Sequence, residues 1–137
     1  MLEDIKIHTK FKLSALWTST MLCYIYCDYF ELYVPGKLAA ISSGKMGPLG
    51  TVTQGVLLGT SIVMAIPSLM IALSLVLAPL ISRWLNIVFG LLYTIMLVLI
   101  AYQEEWYFYK FFATIEAILT ALIVWCAWNW SKAEKAV

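Results

Sequence analysis

From Lys45 to Arg83, from Arg83 to Glu104 and from Glu116 to Lys132, the chain carries no intervening Lys, Arg, Asp or Glu. Charge-free stretches of this length are not built for water. A helix needs ~20 mostly apolar residues to cross ~30 Å of hydrocarbon. Four stretches fit that length: Leu13–Val34, Val56–Leu77, Trp84–Tyr102 and Tyr107–Trp130. They use most of the 137 residues, so the chain reads as one transmembrane domain (1–137) with no room for a soluble one.

Backbone polar groups in lipid must be satisfied internally, which leaves helices or a closed barrel. The run Val56–Met64 shows none of the polar–apolar alternation of a barrel strand. The expected fold is therefore all-α, an integral membrane four-helix bundle with helices at about 13–34, 56–77, 84–102 and 107–130 and an outer loop at 35–54. Lys6, Lys10 and Lys12 resemble the basic start of a signal peptide. The span after them holds Trp17, Tyr24, Tyr26, Asp28 and Glu31 and no small-residue cleavage site, so it reads as a retained first helix.

Four spans put both termini on one side. That side collects Lys6, Lys10, Lys12, Arg83, Lys132 and Lys135, against Lys37, Lys45 and Lys110 on the other. The positive-inside rule makes the richer side cytoplasmic. Aromatic belts agree, with Trp84, Trp128 and Trp130 near inner boundaries and Tyr33, Tyr102, Trp106, Tyr107 and Tyr109 near outer ones. Ala78–Arg83 reads as a tight inner turn, with the third helix starting at Trp84. The 35–54 segment carries Gly36, Gly44, Gly47, Pro48 and Gly50 and cannot be one regular helix, although Lys37–Ile41 can form a helical turn. It reads either as a flexible outer loop or as a lid over a cavity opening outward.

Against this background, three carboxylates are out of place: Asp28 and Glu31 in the first span and Glu116 in the last. A charge near the bilayer centre costs roughly 2.5–3.5 kcal/mol on insertion scales, so such groups face cavities or partners. Asp28 and Glu31 are spaced i, i+3 and share a face, and Tyr24, Thr20 and Trp17 continue that stripe. On the last helix Tyr109, Glu116 and Thr120 lie near one face. At 1.5 Å per residue, Asp28 lies ~9 Å and Glu116 ~13 Å below the outer ends of their helices. The two can therefore face one another, with Glu31 nearer the entrance. The expected site is an acidic pocket in the outer half, lined by Asp28, Glu116, Glu31, Tyr24, Tyr93 and Thr120. Carboxyls crowded at low dielectric do not all ionise together, so one is expected to carry a proton. Lys110 and Lys37 can reach toward them, and Lys110, on the helix of Glu116, is the favoured counter-charge.

The remaining signals are local. Gly55 and Gly59 form a GxxxG, a spacing for close helix approach within the bundle or between copies of the chain. Pro67 sits in mid-helix, where it removes a backbone hydrogen bond that Ser68 or Ser61 can compensate. Asn86, Gly90 and Tyr93 share an inward face. Cys23 and Cys27, i, i+4 on an apolar helix, lack the CxxC spacing of a redox pair. His8, the single histidine, lies outside the spans, so no metal or cofactor is expected. The few basic residues exclude nucleic-acid binding.

The stretch Arg83-Trp84-Leu85-Asn86-Ile87-Val88-Phe89-Gly90-Leu91-Leu92-Tyr93-Thr94 and the exit Tyr33-Val34-Pro35-Gly36 resemble segments of a small bacterial four-helix membrane family of unknown function. The resemblance implies a bacterial inner-membrane protein and supplies no activity. More remotely, the architecture is similar to DoxX-like and emopamil-binding-type tetraspan proteins. The latter use intramembrane carboxylates toward lipophilic amine-like ligands or sterol intermediates; that is analogy of architecture alone. The expected function is binding or transport of a small cationic or lipophilic ligand, or of protons, by a protein in the lipid bilayer that is a possible homo-oligomer. The alternatives are an accessory subunit without a ligand site and a membrane-embedded acid/base enzyme acting on a lipophilic substrate. No catalytic residue is assigned.

Overall fold

A computed structural model describes residues 5–130. It is all-α: α1 (Thr9–Glu31), α2 (Lys37–Ser42), α3 (Gln54–Val76), α4 (Pro79–Gln103) and α5 (Tyr107–Trp128), with a 3-10 turn at Gly47–Leu49. Among the described residues, α3, α4 and α5 are long and apolar enough to cross a membrane. The fourth expected span, α1, has 23 residues, as α3 does, but is more polar, with Lys10 and Lys12 at one end and Asp28 and Glu31 at the other. Lys132 and Lys135, counted above toward the cytoplasmic side, lie outside the described residues.

Several boundaries move for local reasons. His8 caps α1 by accepting from the Lys10 amide (3.3 Å), so the helix starts before Leu13. Pro79 is not part of a turn. It is the first residue of α4, where its missing N–H and fixed φ suit a helix start, leaving only Leu77–Ala78 as the connection from α3. Trp130, expected in a belt, is buried, and its ring meets that of His8 at 6.3 Å.

α1 packs against α3 and α5, and α4 makes its most extensive contact with α5. The buried row of α1 runs Leu13, Trp17, Thr20, Tyr24, Cys27, a helical stripe. Gly90 permits the close α4–α5 approach: a Cβ there would meet Val124 Cγ2 at 2.9 Å and the Thr120 carbonyl at 3.3 Å. The GxxxG pair does no such work inside the chain, for a Cβ at Gly59 meets nothing within 4 Å, and one at Gly55 meets only the Thr53 hydroxyl of its own turn.

The half of the molecule nearer the termini is closed by satisfied polar groups. Asn86 Oδ1 accepts from Trp17 Nε1 (2.7 Å) and the Ser74 hydroxyl (3.2 Å), while its Nδ2 donates to the Ser82 carbonyl (2.8 Å). Ser14 donates to the Ile71 carbonyl (2.9 Å). Two basic residues cap helix ends here: Lys10 donates to the carbonyls of Leu75 (3.0 Å) and Leu77 (2.7 Å), and Arg83 to those of Ala127 (3.2 Å) and Trp128 (3.1 Å). Cations at helix C-termini satisfy orphan carbonyls and complement the dipole.

Pro67 removes the N–H that would bond to the Val63 carbonyl. Neither Ser68 nor Ser61 compensates; each bonds a carbonyl of its own preceding turn, those of Met64 and Leu57. The Tyr93 hydroxyl of α4 donates to Val63 instead. On the N-terminal side of Pro67, α3 has no buried residue, whereas Met70 and Ser74 beyond it are buried.

Candidate functional site

That loosely packed half holds a cavity of about 330 Å³. The size falls in the range of small-molecule sites, ~300–1,000 Å³. All four long helices line it: Tyr24, Cys27, Asp28 and Glu31 from α1, Thr60 and Met64 from α3, Met96, Leu97 and Ile100 from α4, and Tyr109, Ala113 and Glu116 from α5. The convergence follows from helical spacing. Tyr24, Cys27 and Glu31 recur at i, i+3 and i+7, as do Tyr109, Ala113 and Glu116 at i, i+4 and i+7. Beneath the cavity, Trp17, Thr20, Asn86 and Thr120 are fully buried.

The remaining wall comes from the 32–53 segment. Gly36 (φ 81°) turns the chain out of α1 into α2 through a left-handed conformation that a side chain would strain. Lys45 and Thr51 form an antiparallel bridge, and the Met46 amide donates to the Gly50 carbonyl (2.7 Å). These bonds tie the segment into a small closed loop whose tip, Met46–Leu49, lies over the cavity. Lys37, at the start of α2, pairs with Glu31 of α1. The segment thus contributes Lys37 and Met46–Leu49 to the cavity wall, the position that the lid reading requires.

The predicted site residues divide. Tyr24, Asp28, Glu31 and Glu116 line the cavity together; Tyr93 and Thr120 do not. Tyr93 is committed to the carbonyl that Pro67 frees. The Thr120 hydroxyl donates to the Glu116 carbonyl (2.9 Å) and accepts from Thr94 (2.8 Å), locking α4 to α5 below the cavity. Asp28 departs from the buried stripe, which continues through Cys27; Asp28 stands on the exposed side, at the mouth. The lysine at the cavity is Lys37 and not the favoured Lys110.

Sequence reasoning left Cys27, Lys37, Tyr109 and the methionines Met46, Met64 and Met96 off its list of lining residues. Tyr109 was legible, seven residues before Glu116 on the same face. Lys37 was the second of the two lysines within reach of the carboxylates by sequence, and it is the one that lines the cavity.

Two lining atoms stand out. Glu116 is 3% exposed and Tyr24 is 7% exposed. Glu116 Oε1 and the Tyr24 hydroxyl are both buried and have no hydrogen-bond partner among the described residues. Leaving a buried polar group unsatisfied costs about 1–3 kcal/mol, and more for a charged one. No group of three or more His, Cys, Asp or Glu among the described residues is arranged to hold a metal ion. The lining offers three carboxyls, the Lys37 ammonium and two phenols, Tyr24 and Tyr109, against an apolar wall of Met64, Met96, Leu97 and Ile100.

Over residues 3–137 the chain matches a family described as Family of unknown function (DUF6326). No curated protein and no solved structure matches it.

Proposed function

The chain belongs to the DUF6326 family of unknown function, and from that premise we propose that it is a four-span integral membrane protein that binds a small ligand in the acidic cavity, as a receptor or as the binding step of transport. The lipid bilayer is its medium and the bacterial inner membrane its location, with both termini cytoplasmic. α1 serves as the fourth span. Its 23 residues extend about 34 Å at 1.5 Å per residue, enough for ~30 Å of hydrocarbon. Its buried stripe, Leu13, Trp17, Thr20, Tyr24 and Cys27, turns to the cavity and the other helices. Lys10, Lys12 and Arg83 at the end opposite the cover support that orientation.

The observation that carries the reading is the pair of buried, unpartnered atoms on one cavity, Glu116 Oε1 and the Tyr24 hydroxyl. A purely structural carboxyl would be satisfied by neighbours, as Asn86 is. In this reading the site is blind-ended: ligand enters from the covered side, and passage across the membrane requires the buried layer beneath to rearrange.

The test is a ligand-observed NMR screen of small fragments, up to roughly ten heavy atoms, against the full chain in detergent micelles. Hits that disappear in Glu116→Gln and weaken in Tyr24→Phe and Asp28→Asn, with helicity by circular dichroism unchanged, support the proposal. No hits, or hits indifferent to all three substitutions, refute it.

A further inference from the structure

Lys37 is the single cationic side chain among the described residues that line the cavity. It arrives from the cover and not from a membrane helix. Its Nζ pairs with Glu31 and passes beside the tip of the cover, where a Cβ added to Gly47 would lie 3.8 Å away. The pair is half-buried, with 24% and 30% of the lysine and glutamate side chains exposed. One ammonium therefore faces three carboxyls, Glu31, Asp28 and Glu116, and its own pair accounts for the first.

Resting on the small-ligand reading above, we propose that Lys37 is a tethered stand-in cation: the cavity takes a singly charged primary ammonium with a short apolar body, which displaces Lys37 from the carboxylates as it enters beneath α2. The lining chemistry sets the class. Asp28 and the unpartnered Glu116 oxygen are acceptors, and with Lys37 already paired to Glu31 an anion would meet a net acidic lining. A primary ammonium, like that of lysine, brings three donors and no acceptor, which Asp28, Glu116 and the Tyr24 oxygen can receive. Behind those groups, Met64, Met96, Leu97 and Ile100 give an apolar wall for the body of the ligand. The cavity holds roughly ten water-sized groups at ~30 Å³ each, which fits a six-carbon chain with its ammonium.

The competition fixes the sign of the test. n-Hexylammonium, n-hexanol and n-hexanoate are titrated by calorimetry into the full chain in lipid nanodiscs. Hexylammonium is expected to bind best and hexanoate least. Lys37→Gln removes the competing charge and should tighten hexylammonium binding on the order of tenfold, the effect of a unit charge at ~10 Å and an effective dielectric near 20. Lys37→Arg keeps the charge and should bind as the wild type does. A merely structural lysine gives the reverse, since loosening the cover weakens binding; unchanged or weaker binding in Lys37→Gln overturns the proposal. Hexanol binding as tightly as hexylammonium also overturns it, while leaving the ligand pocket standing. Failure of all three probes, alongside fragment hits that need Glu116, overturns this proposal alone; failure of probes and fragments together overturns both.

Discussion

The hydroxyl of Tyr93 donates to the backbone carbonyl of Val63, the acceptor that Pro67, four residues further on, deprives of its helical partner. A proline break in one helix is thus closed by a side chain from another. The cavity sits on the side of that break where α3 buries nothing.

Tyr93→Phe strands the Val63 carbonyl and should lower stability by about 1–3 kcal/mol. Pro67→Ala restores the missing N–H, so the same Tyr93→Phe change made in that background should cost far less. Unfolding titrations of the four proteins in the double-mutant cycle measure the coupling. Additive effects would show that the bond does not compensate the proline.

Glycine should matter at one place and not another. Gly90→Ala drives a methyl against Val124 and the Thr120 carbonyl of α5, and overpacking of this kind costs about 1–3 kcal/mol. Gly59→Ala enters open space and should leave monomer stability within about 0.5 kcal/mol or raise it. Thermal unfolding in micelles compares the two. If Gly59→Ala alters assembly in cross-linking experiments while Gly90→Ala does not, the GxxxG face is used between copies of the chain.

Cys27 gives direct access to the cavity's charge. With Cys23 and Cys126 replaced by Ser, the cationic reagent aminoethyl methanethiosulfonate should label Cys27 on the order of tenfold faster than the anionic sulfonatoethyl reagent, after correction for their rates with a free thiol. Three carboxyls against one ammonium leave the cleft net acidic, and a cleft with a predominant sign of charge concentrates the opposite ion to about this degree. Equal rates would contradict an acidic cavity. Prior addition of n-hexylammonium should slow the labelling.

What the sequence disclosed follows from which signals are local. Charge-free runs and helical spacing gave the all-α character, placed Asp28 and Glu116 near one level with Glu31 nearer the entrance, and put Tyr24 on the same face a turn below Asp28, because depth along a helix scales with residue number. Tyr93 and Thr120 share those helical faces, yet each hydroxyl is taken by a neighbouring helix, a pairing that residue spacing cannot reveal. Pro79 looked like a turn residue and instead opens a helix, since the same fixed φ serves both. Lys10 and Arg83 looked like orientation signals alone; each also caps a helix C-terminus. Reach alone did not separate Lys37 from Lys110, because the position of Lys37 depends on how a glycine-rich segment folds back over α1.

On the ligand-binding reading, Glu116 is kept for a ligand and not for the fold. Its unpartnered oxygen in an apolar setting is then a cost that the empty protein carries. Replacing a buried polar or charged group with an apolar side chain of similar volume is commonly neutral or stabilising. The decisive measurement is the unfolding free energy of Glu116→Met beside the wild type in the same micelles, without ligand. The account predicts equal stability or a gain of about 1 kcal/mol or more, together with loss of hexylammonium binding. A loss of about 2 kcal/mol or more, the size expected when a satisfied buried group is broken, would show that Glu116 holds the helices together and would contradict the account.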